Sequence, residues 1–361
     1  MRAFLCGATV IAAALGLAAC GPEGVSSSGG GGSGGTTASG GTTNGGGGAT
    51  NGGGGATSSG GTTASGGTTS SGGAGEGGRG FPVGSPWVSF YGSISDIDAA
   101  KTAATFRILN IDADPDGGNT KAEIEQLKAG GQNRVISYIN FGSCESFRTY
   151  YDTPPAGHAS CVSSGALTTP YDGYPDEMWA DLSNTAYRDL LVNYVAPRLV
   201  DQGVDGFFLD NLEVVEHGAN DGNGPCDAAC SQGGLDLVWE LRQKFPDKLI
   251  VMQNATSDVT LKGTTHGVAF PTLLDGISHE EVYSNGGDAQ TQAEMQSWRA
   301  KNFTVNGVPF WIACEEYVGS CSAADKSAAD ALYAQATADG LNAYVTDASA
   351  SQQGPCFWSD F

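Results

Sequence analysis

The chain has 361 residues, with 39 Asp and Glu against 17 Lys and Arg, for a formal net charge of −22. That balance leaves no basic face to follow phosphates, which excludes nucleic acid as a partner; an acidic polymer is repelled, and a neutral or cationic one is not. Most of the 56 glycines crowd into the segment before residue 80, so the chain splits by composition alone.

Residues 1–20 carry a basic Arg2, an apolar run and the ending Leu17-Ala18-Ala19-Cys20. They are predicted to be a secretory signal, and the ending resembles a bacterial lipobox in which Cys20 becomes the lipidated first residue. Gly21 rather than Asp after the cysteine points toward the outer membrane or cell surface. Residues 21–79 are almost wholly Gly, Ser, Thr, Ala and Asn, with NGGGGAT in tandem from Asn44 to Thr57. Such a stretch buries no core and is predicted to be a flexible, disordered tether with a reach of roughly 40–45 Å. The remainder, 80–361, is the size of one α/β barrel domain.

In that domain short apolar runs alternate with helical patterns, the signature of repeated βα units. Strands are predicted over 87–91, 106–111 and 134–140, with a helix over 121–130 after the second. A long excursion containing Trp179 and Asp181 follows, and then a helix over 185–200. The fourth strand lies in the run Gly203-Val-Asp-Gly-Phe-Phe-Leu-Asp210-Asn211, apolar from Phe207 to Leu209 and ending in a carboxylate and an amide. Further strands are predicted over 248–254, 275–280, 310–315 and 342–347. Eight parallel strands make a (β/α)8 TIM barrel, whose active sites sit at the C-terminal strand ends.

Those ends are polar: Asp112, Asn140, Asp210-Asn211, Gln253-Asn254, Glu280-Glu281, Glu315-Glu316 and Asp347. A ring of carboxylates and amides suits a polyol ligand, and Tyr91, Tyr138, Trp179 and Tyr283 are placed to stack on sugar rings. The pattern predicts a carbohydrate-binding cleft. A lipoprotein that binds glycan on this barrel without cleaving it is the alternative from a different class.

These residues resemble glycoside hydrolase family 114 and its relatives, the endo-α-1,4-polygalactosaminidase-like barrels, over about residues 85–350. The likeness rests on Tyr138-Ile139-Asn140-x-Gly142-x-x-Glu145-x-x-Arg148, on Trp179-x-Asp181, and on Gly203-x-Asp205-Gly206-x-x-x-Asp210-Asn211. Gln253-Asn254-Ala255 and Gly276-Ile-Ser-His-Glu280 continue it. The resemblance implies hydrolysis of an α-linked, galactosamine-containing exopolysaccharide, with Asp210 and Glu280 as catalytic acids.

Glycoside cleavage needs one protonated and one ionised carboxyl group. Asp210, short and rigid beside Asn211, is expected to stay ionised as nucleophile, and Glu280, crowded by Glu281 and Glu145, to act as acid/base. Glu281 or Glu315 is the alternative partner for Asp210. Tyr91, Asp112, Tyr138, Asn140, Trp179, Asn211, Asn254, Glu281 and Glu315 are expected at the substrate, Asp181 and Asp347 as subsite contacts or helix caps, and Glu145–Arg148 as a structural ion pair. Asp112-Ala-Asp-Pro-Asp-Gly117 with Glu123 matches a calcium loop. However, Thr120-Lys-Ala-Glu123 also reads as a capping box, which gives Glu123 another task. No metal or cofactor is expected, and a monomer is. Export favours disulfides, and proximity suggests Cys144–Cys161, Cys226–Cys230 and Cys314–Cys321, leaving Cys356 unpaired.

Overall fold

The computed structural model describes residues 80–348 and 352–358; the export segment, Cys20 and the tether expected over 1–79 lie outside the described residues. Eight strands form one parallel sheet in chain order: β1 (Trp87–Phe90), β2 (Ile108–Ile111), β3 (Arg134–Asn140), β4 (Gly206–Asp210), β5 (Leu249–Gln253), β6 (Gly276–Glu280), β7 (Trp311–Val318) and β8 (Asn342–Asp347). The sheet curls into a barrel. Its first and last strands meet where Trp87 Nε1 donates to Asn342 O at 2.9 Å and the Trp87 ring packs on Tyr344. Parallel strands covered on both faces need apolar residues on both, which is why Phe207, Phe208 and Leu209 are all fully buried.

The helices α1 (Ala99–Thr105), α2 (Lys121–Lys128), α3 (Thr185–Leu190, continuing to 201), α4 (Ala228–Lys244), α5 (Ala289–Ala300) and α6 (Lys326–Ala338) are spaced between the strands. Helix α2 starts at the expected capping box, Thr120 and Glu123 each bonding the other's backbone, and buries Ile124 and Leu127. Glu123 is thus engaged as a cap. The other carboxylates of the calcium-loop pattern face arginines: Asp112 meets Arg148, and Asp114 and Asp116 share Arg198. The helix predicted over 185–200 is not uniform. Leu191–Val195 opens into a π turn just before Pro197. A proline has no N–H to donate and clashes with the carbonyl four residues back, and the wider turn relieves both.

Two expectations fail here. Strand β7 does not end at Glu315-Glu316: its pairing with β8 continues through Glu316↔Val345, Tyr317↔Thr346 and Val318↔Asp347. The glutamates therefore lie inside the strand. The third disulfide joins Cys321 to Cys356, with Cα atoms 5.3 Å apart, and Cys314 is a free, buried thiol. Cys314 lies within β7, whereas Cys321 stands in the loop beyond it, beside the returning C-terminal tail. Cys144–Cys161 and Cys226–Cys230 are as expected. Among the described residues, no helix is long and apolar enough to cross a membrane.

Candidate active site

A cleft of about 410 Å³ opens at the C-terminal mouth of the barrel, lined by Tyr91, Asp112, Tyr138, Asp210, Asn254 and Glu280 among others. A larger cavity of about 640 Å³ lies at the opposite mouth, around Pro86, Phe310 and Leu341. No carboxylate lines it, whereas five line the smaller cleft.

Three strands deliver their polar tips by the same backbone device. Asn211 after β4, Asn254 after β5 and Glu281 after β6 all adopt left-handed backbone angles, with φ of 57°, 62° and 54°. Such angles cost a non-glycine residue free energy and mark a sharp turn imposed by the surroundings. The turn at Asn211 explains the glycine in Asn140-Phe-Gly142: a Cβ on Gly142 would lie 1.7 Å from Asn211 O. The Asn211 side chain then donates to Asn140 Oδ1, Ser143 Oγ and Glu177 Oε2 at 2.9–3.2 Å.

Glu280 is held from two sides. Asn254 Nδ2 donates to its Oε2 at 2.9 Å, and the Tyr317 hydroxyl donates to its Oε1. Both donors favour the ionised carboxylate. Asp210 behaves differently: burial first, and the neighbouring Glu280 second, push its carboxyl well above the usual range. That direction runs against the expectation of a carboxylate kept ionised by its rigidity beside Asn211. The two acids line the same cleft, and the side-chain donors lie on Glu280. Glu213, on the turn after β4, is raised as well by burial and then by Asp210.

Arg148 anchors the opposite wall. Its Nε donates to Glu145 Oε2 at 2.6 Å and its Nη1 to Asp112 Oδ2 at 3.0 Å. Even so, burial pushes Glu145 up to about 7. This is the structural ion pair expected from the spacing. Arg148 is the single cation among the residues lining the cleft, against Asp112, Glu145, Glu177, Asp210 and Glu280.

Several expected contacts are elsewhere. Trp179 is 1% exposed, stacked on Tyr171 and tied through Nε1 to Asn223, so no sugar reaches its face. Asn140 lies under the cleft, bonded to Ser143 and Glu177. Asp181 caps a turn by accepting from Ser183 N, well inside the excursion. Glu281 is exposed at the rim, where Asn285 Nδ2 donates to it. Asp347 is not among the residues lining the cleft, and Tyr283 is buried with its hydroxyl on Asp339. Glu315 is wholly buried on the inner face of β7, beneath the cleft, and its carboxyl is pushed far up by burial and then by Glu280.

The excursion between β3 and α3 supplies what the strand reading lacks. Its antiparallel sheet (Ser143–Glu145, Leu167–Tyr171, Tyr174–Ala180) brings Tyr171, Tyr174 and Glu177 over the cleft, and the preceding turn brings Phe147. Tyr174 packs on Tyr171 and Phe147 lies against Arg148, yet the two remain 51% and 62% exposed. From the far end of the chain, Gln352 and Gln353 complete the lining. One signal for Glu177 existed: it stands two residues before Trp179 of the W-x-D pattern.

Residues 74–269, more than half of the chain, match glycoside-hydrolase family GH114. The chain belongs to that family. Within the fold, this glycoside hydrolase family 114 barrel is similar to the glycoside hydrolase domain of PelA from Pseudomonas aeruginosa, with a TM-score of 0.56 and 15% identity over 76% of this chain and 98% of that one. It is similar too to Aspergillus fumigatus Ega3, solved in complex with galactosamine, with a TM-score of 0.54 and 19% identity over 77% of this chain and 96% of that one. At those identities the likeness establishes the barrel. An uncharacterized protein of Thermotoga maritima is 25% identical over 190 residues, 48% of this chain and 55% of its own length. One of Methanocaldococcus jannaschii is 24% identical over 216 residues, 56% and 57% of the two chains. The chain thus spans little more than half the length of these curated relatives.

Proposed function

We propose that this family 114 protein hydrolyses an α-linked, galactosamine-rich polysaccharide, using Asp210 and Glu280. The observation that carries the reading is the location of those two acids, on the tips of β4 and β6, in one cleft where burial and then Glu280 raise the Asp210 carboxyl. Five carboxylates against a single arginine favour a sugar carrying a protonated amine over an acidic one. In the substrate complex Asp210 acts as the carboxylate and Glu280 as the acid. A developing positive charge at the anomeric carbon favours ionised Asp210, and the leaving oxygen accepts a hydrogen bond from protonated Glu280. Asp210 is then the nucleophile and Glu280 the acid/base.

Release of reducing ends from an α-1,4-galactosamine polymer tests the activity. Asp210→Asn and Glu280→Gln are each expected to lose about 10³-fold in kcat with an unchanged circular dichroism spectrum. Full activity in both sinks the assignment, and binding without product release marks a glycan-binding protein instead. Azide is expected to restore turnover to Asp210→Gly by forming a glycosyl azide; rescue in Glu280→Gly with that same anomer would exchange the two roles. The enzyme is further proposed to be monomeric, exported and lipid-anchored through Cys20 at the outer membrane or cell surface, on the strength of the Leu-Ala-Ala-Cys20 ending. Loss of radiolabelled palmitate incorporation in Cys20→Ala checks the anchor.

A further inference from the structure

The C-terminal tail returns to the barrel mouth after β8 and places one side chain inside it. Gln352 is 4% exposed and sits in a left-handed backbone conformation, φ 42°, which a glutamine adopts only where its surroundings impose it. Its carbonyl accepts from Tyr91 N at 2.7 Å. Its Oε1 accepts from Ser89 Oγ at 2.9 Å, and its Nε2 donates to the Tyr317 hydroxyl at 3.4 Å. A close backbone approach makes room for the tail: a Cβ on Gly92 would lie 2.0 Å from Gln353 O, so only glycine fits at the end of β1.

The Tyr317 hydroxyl has one proton, and burial together with Glu315 and Glu280 pushes its pKa far up, so it remains a hydroxyl. Receiving a hydrogen bond from Gln352, it is left with its own proton to give, and it gives it to Glu280 Oε1. The tail itself is fastened at several points. Cys356 is bonded to Cys321 in the loop after β7, its N–H donates to Tyr344 OH at 2.9 Å, and Trp358 Nε1 donates to Val345 O at 2.9 Å. The tail is thus fastened to β8 and to the loop after β7.

We propose that Gln352, held in the barrel mouth by a tail latched through Cys321–Cys356, is a positioning residue that orients Tyr317 as the donor to Glu280. The latch therefore reaches the reacting carboxyl through two hydrogen bonds, and a change made in the tail is read at Glu280. This inference rests on Glu280 being the acid/base of the preceding section.

The test compares kcat–pH profiles of the full chain. A hydrogen-bond donor favours the ionised form of the carboxylate it meets, so losing the donor favours the protonated form, and an acid that must be protonated then works to higher pH. Gln352→Ala is expected to lose about tenfold in kcat with KM changed less than about twofold, and to move the alkaline limb upward by about half to one unit. Tyr317→Phe moves the same limb at least as far, and the double variant moves it no further. Cys321→Ser/Cys356→Ser reproduces the Gln352→Ala shift, whereas Cys226→Ser/Cys230→Ser leaves the limb in place. A limb unmoved by Gln352→Ala, or additive shifts in the double variant, overturns the proposal; a merely structural tail would lower Tm and leave the limb alone. If the wild type cleaves no glycan, the functional reading fails separately, and two readouts without turnover decide this one. These are hydrogen exchange at the Tyr91 amide, expected to accelerate in Cys321→Ser/Cys356→Ser, and the ¹³C titration of the Glu280 carboxyl, expected to shift upward in Gln352→Ala.

Discussion

Replacing Arg148 by methionine tests the electrostatic frame of the cleft wall. The guanidinium is 4% exposed and holds two carboxylates at 2.6 and 3.0 Å, so its removal leaves Glu145 and Asp112 uncompensated in a buried setting. Breaking a buried pair from one side costs about 3–5 kcal/mol. For a domain of this size that is a fall in Tm of about 6–20 °C. The loss is pH-dependent with a definite sign. Glu145 already titrates at about 7 with its partner present, and without Arg148 it takes up a proton at still higher pH. At pH 5.5 it is neutral in the variant, and only Asp112 is orphaned; at pH 8 both carboxylates bear on the cost. Thermal and urea unfolding of Arg148→Met at the two pH values is the assay, with Arg148→Met/Glu145→Leu expected to recover part of the loss at pH 8. A Tm shift under 2 °C at pH 8, or a greater loss at pH 5.5 than at pH 8, refutes the reasoning.

Two further predictions concern the intact fold. Burial raises Glu145 and Glu216 to about 7, above the 4.5 of an unfolded glutamate, so the folded state binds the extra protons. Stability from these groups is full below about pH 4.5 and is lost as pH rises through 7; Glu145 alone accounts for about 3 kcal/mol. His279 is lowered by burial and opposes this, but Asp114, Asp210, Glu213 and Glu315 are raised and add to it. Urea unfolding is thus expected to give a lower free energy at pH 8 than at pH 5, and a higher one would contradict the burial argument. Gly142→Ala puts a methyl group within 1.7 Å of Asn211 O. Because that atom is backbone beside Asp210, the variant is expected to lose about 1–3 kcal/mol and most of its activity together; an active, fully stable variant would show that the β4 turn yields freely.

Much of the barrel was legible because parallel strands covered on both faces write themselves as apolar runs, and those runs are local. Strands β3 and β8 keep their expected bounds, and the others lie within a few residues of theirs. The chain positions of Asp210, Asn211, Asn254 and Glu280 were readable for the same reason, since each directly ends or follows such a run. Glu315 was misplaced as a substrate contact by the opposite effect. Its strand carries on past it, and that continuation depends on pairing with β8, which nothing near Glu315 announces. Trp179 went astray because an aromatic residue reads the same whether it faces a sugar or stacks on Tyr171. Cysteine proximity along the chain chose Cys314 for Cys321, although the fold brings Cys356 to it across 35 residues.

By itself the sequence determined the barrel, the acids at its mouth and the family, because these are carried by short segments whose burial pattern is the same in any context. Only the tertiary structure decided that Glu280 raises the Asp210 carboxyl, which aromatic faces stay open, and that Tyr317 and the distant Gln352 stand behind Glu280. Those are matters of distance, dielectric surroundings and hydrogen-bond direction between segments far apart in the chain, and residue order alone does not encode them locally.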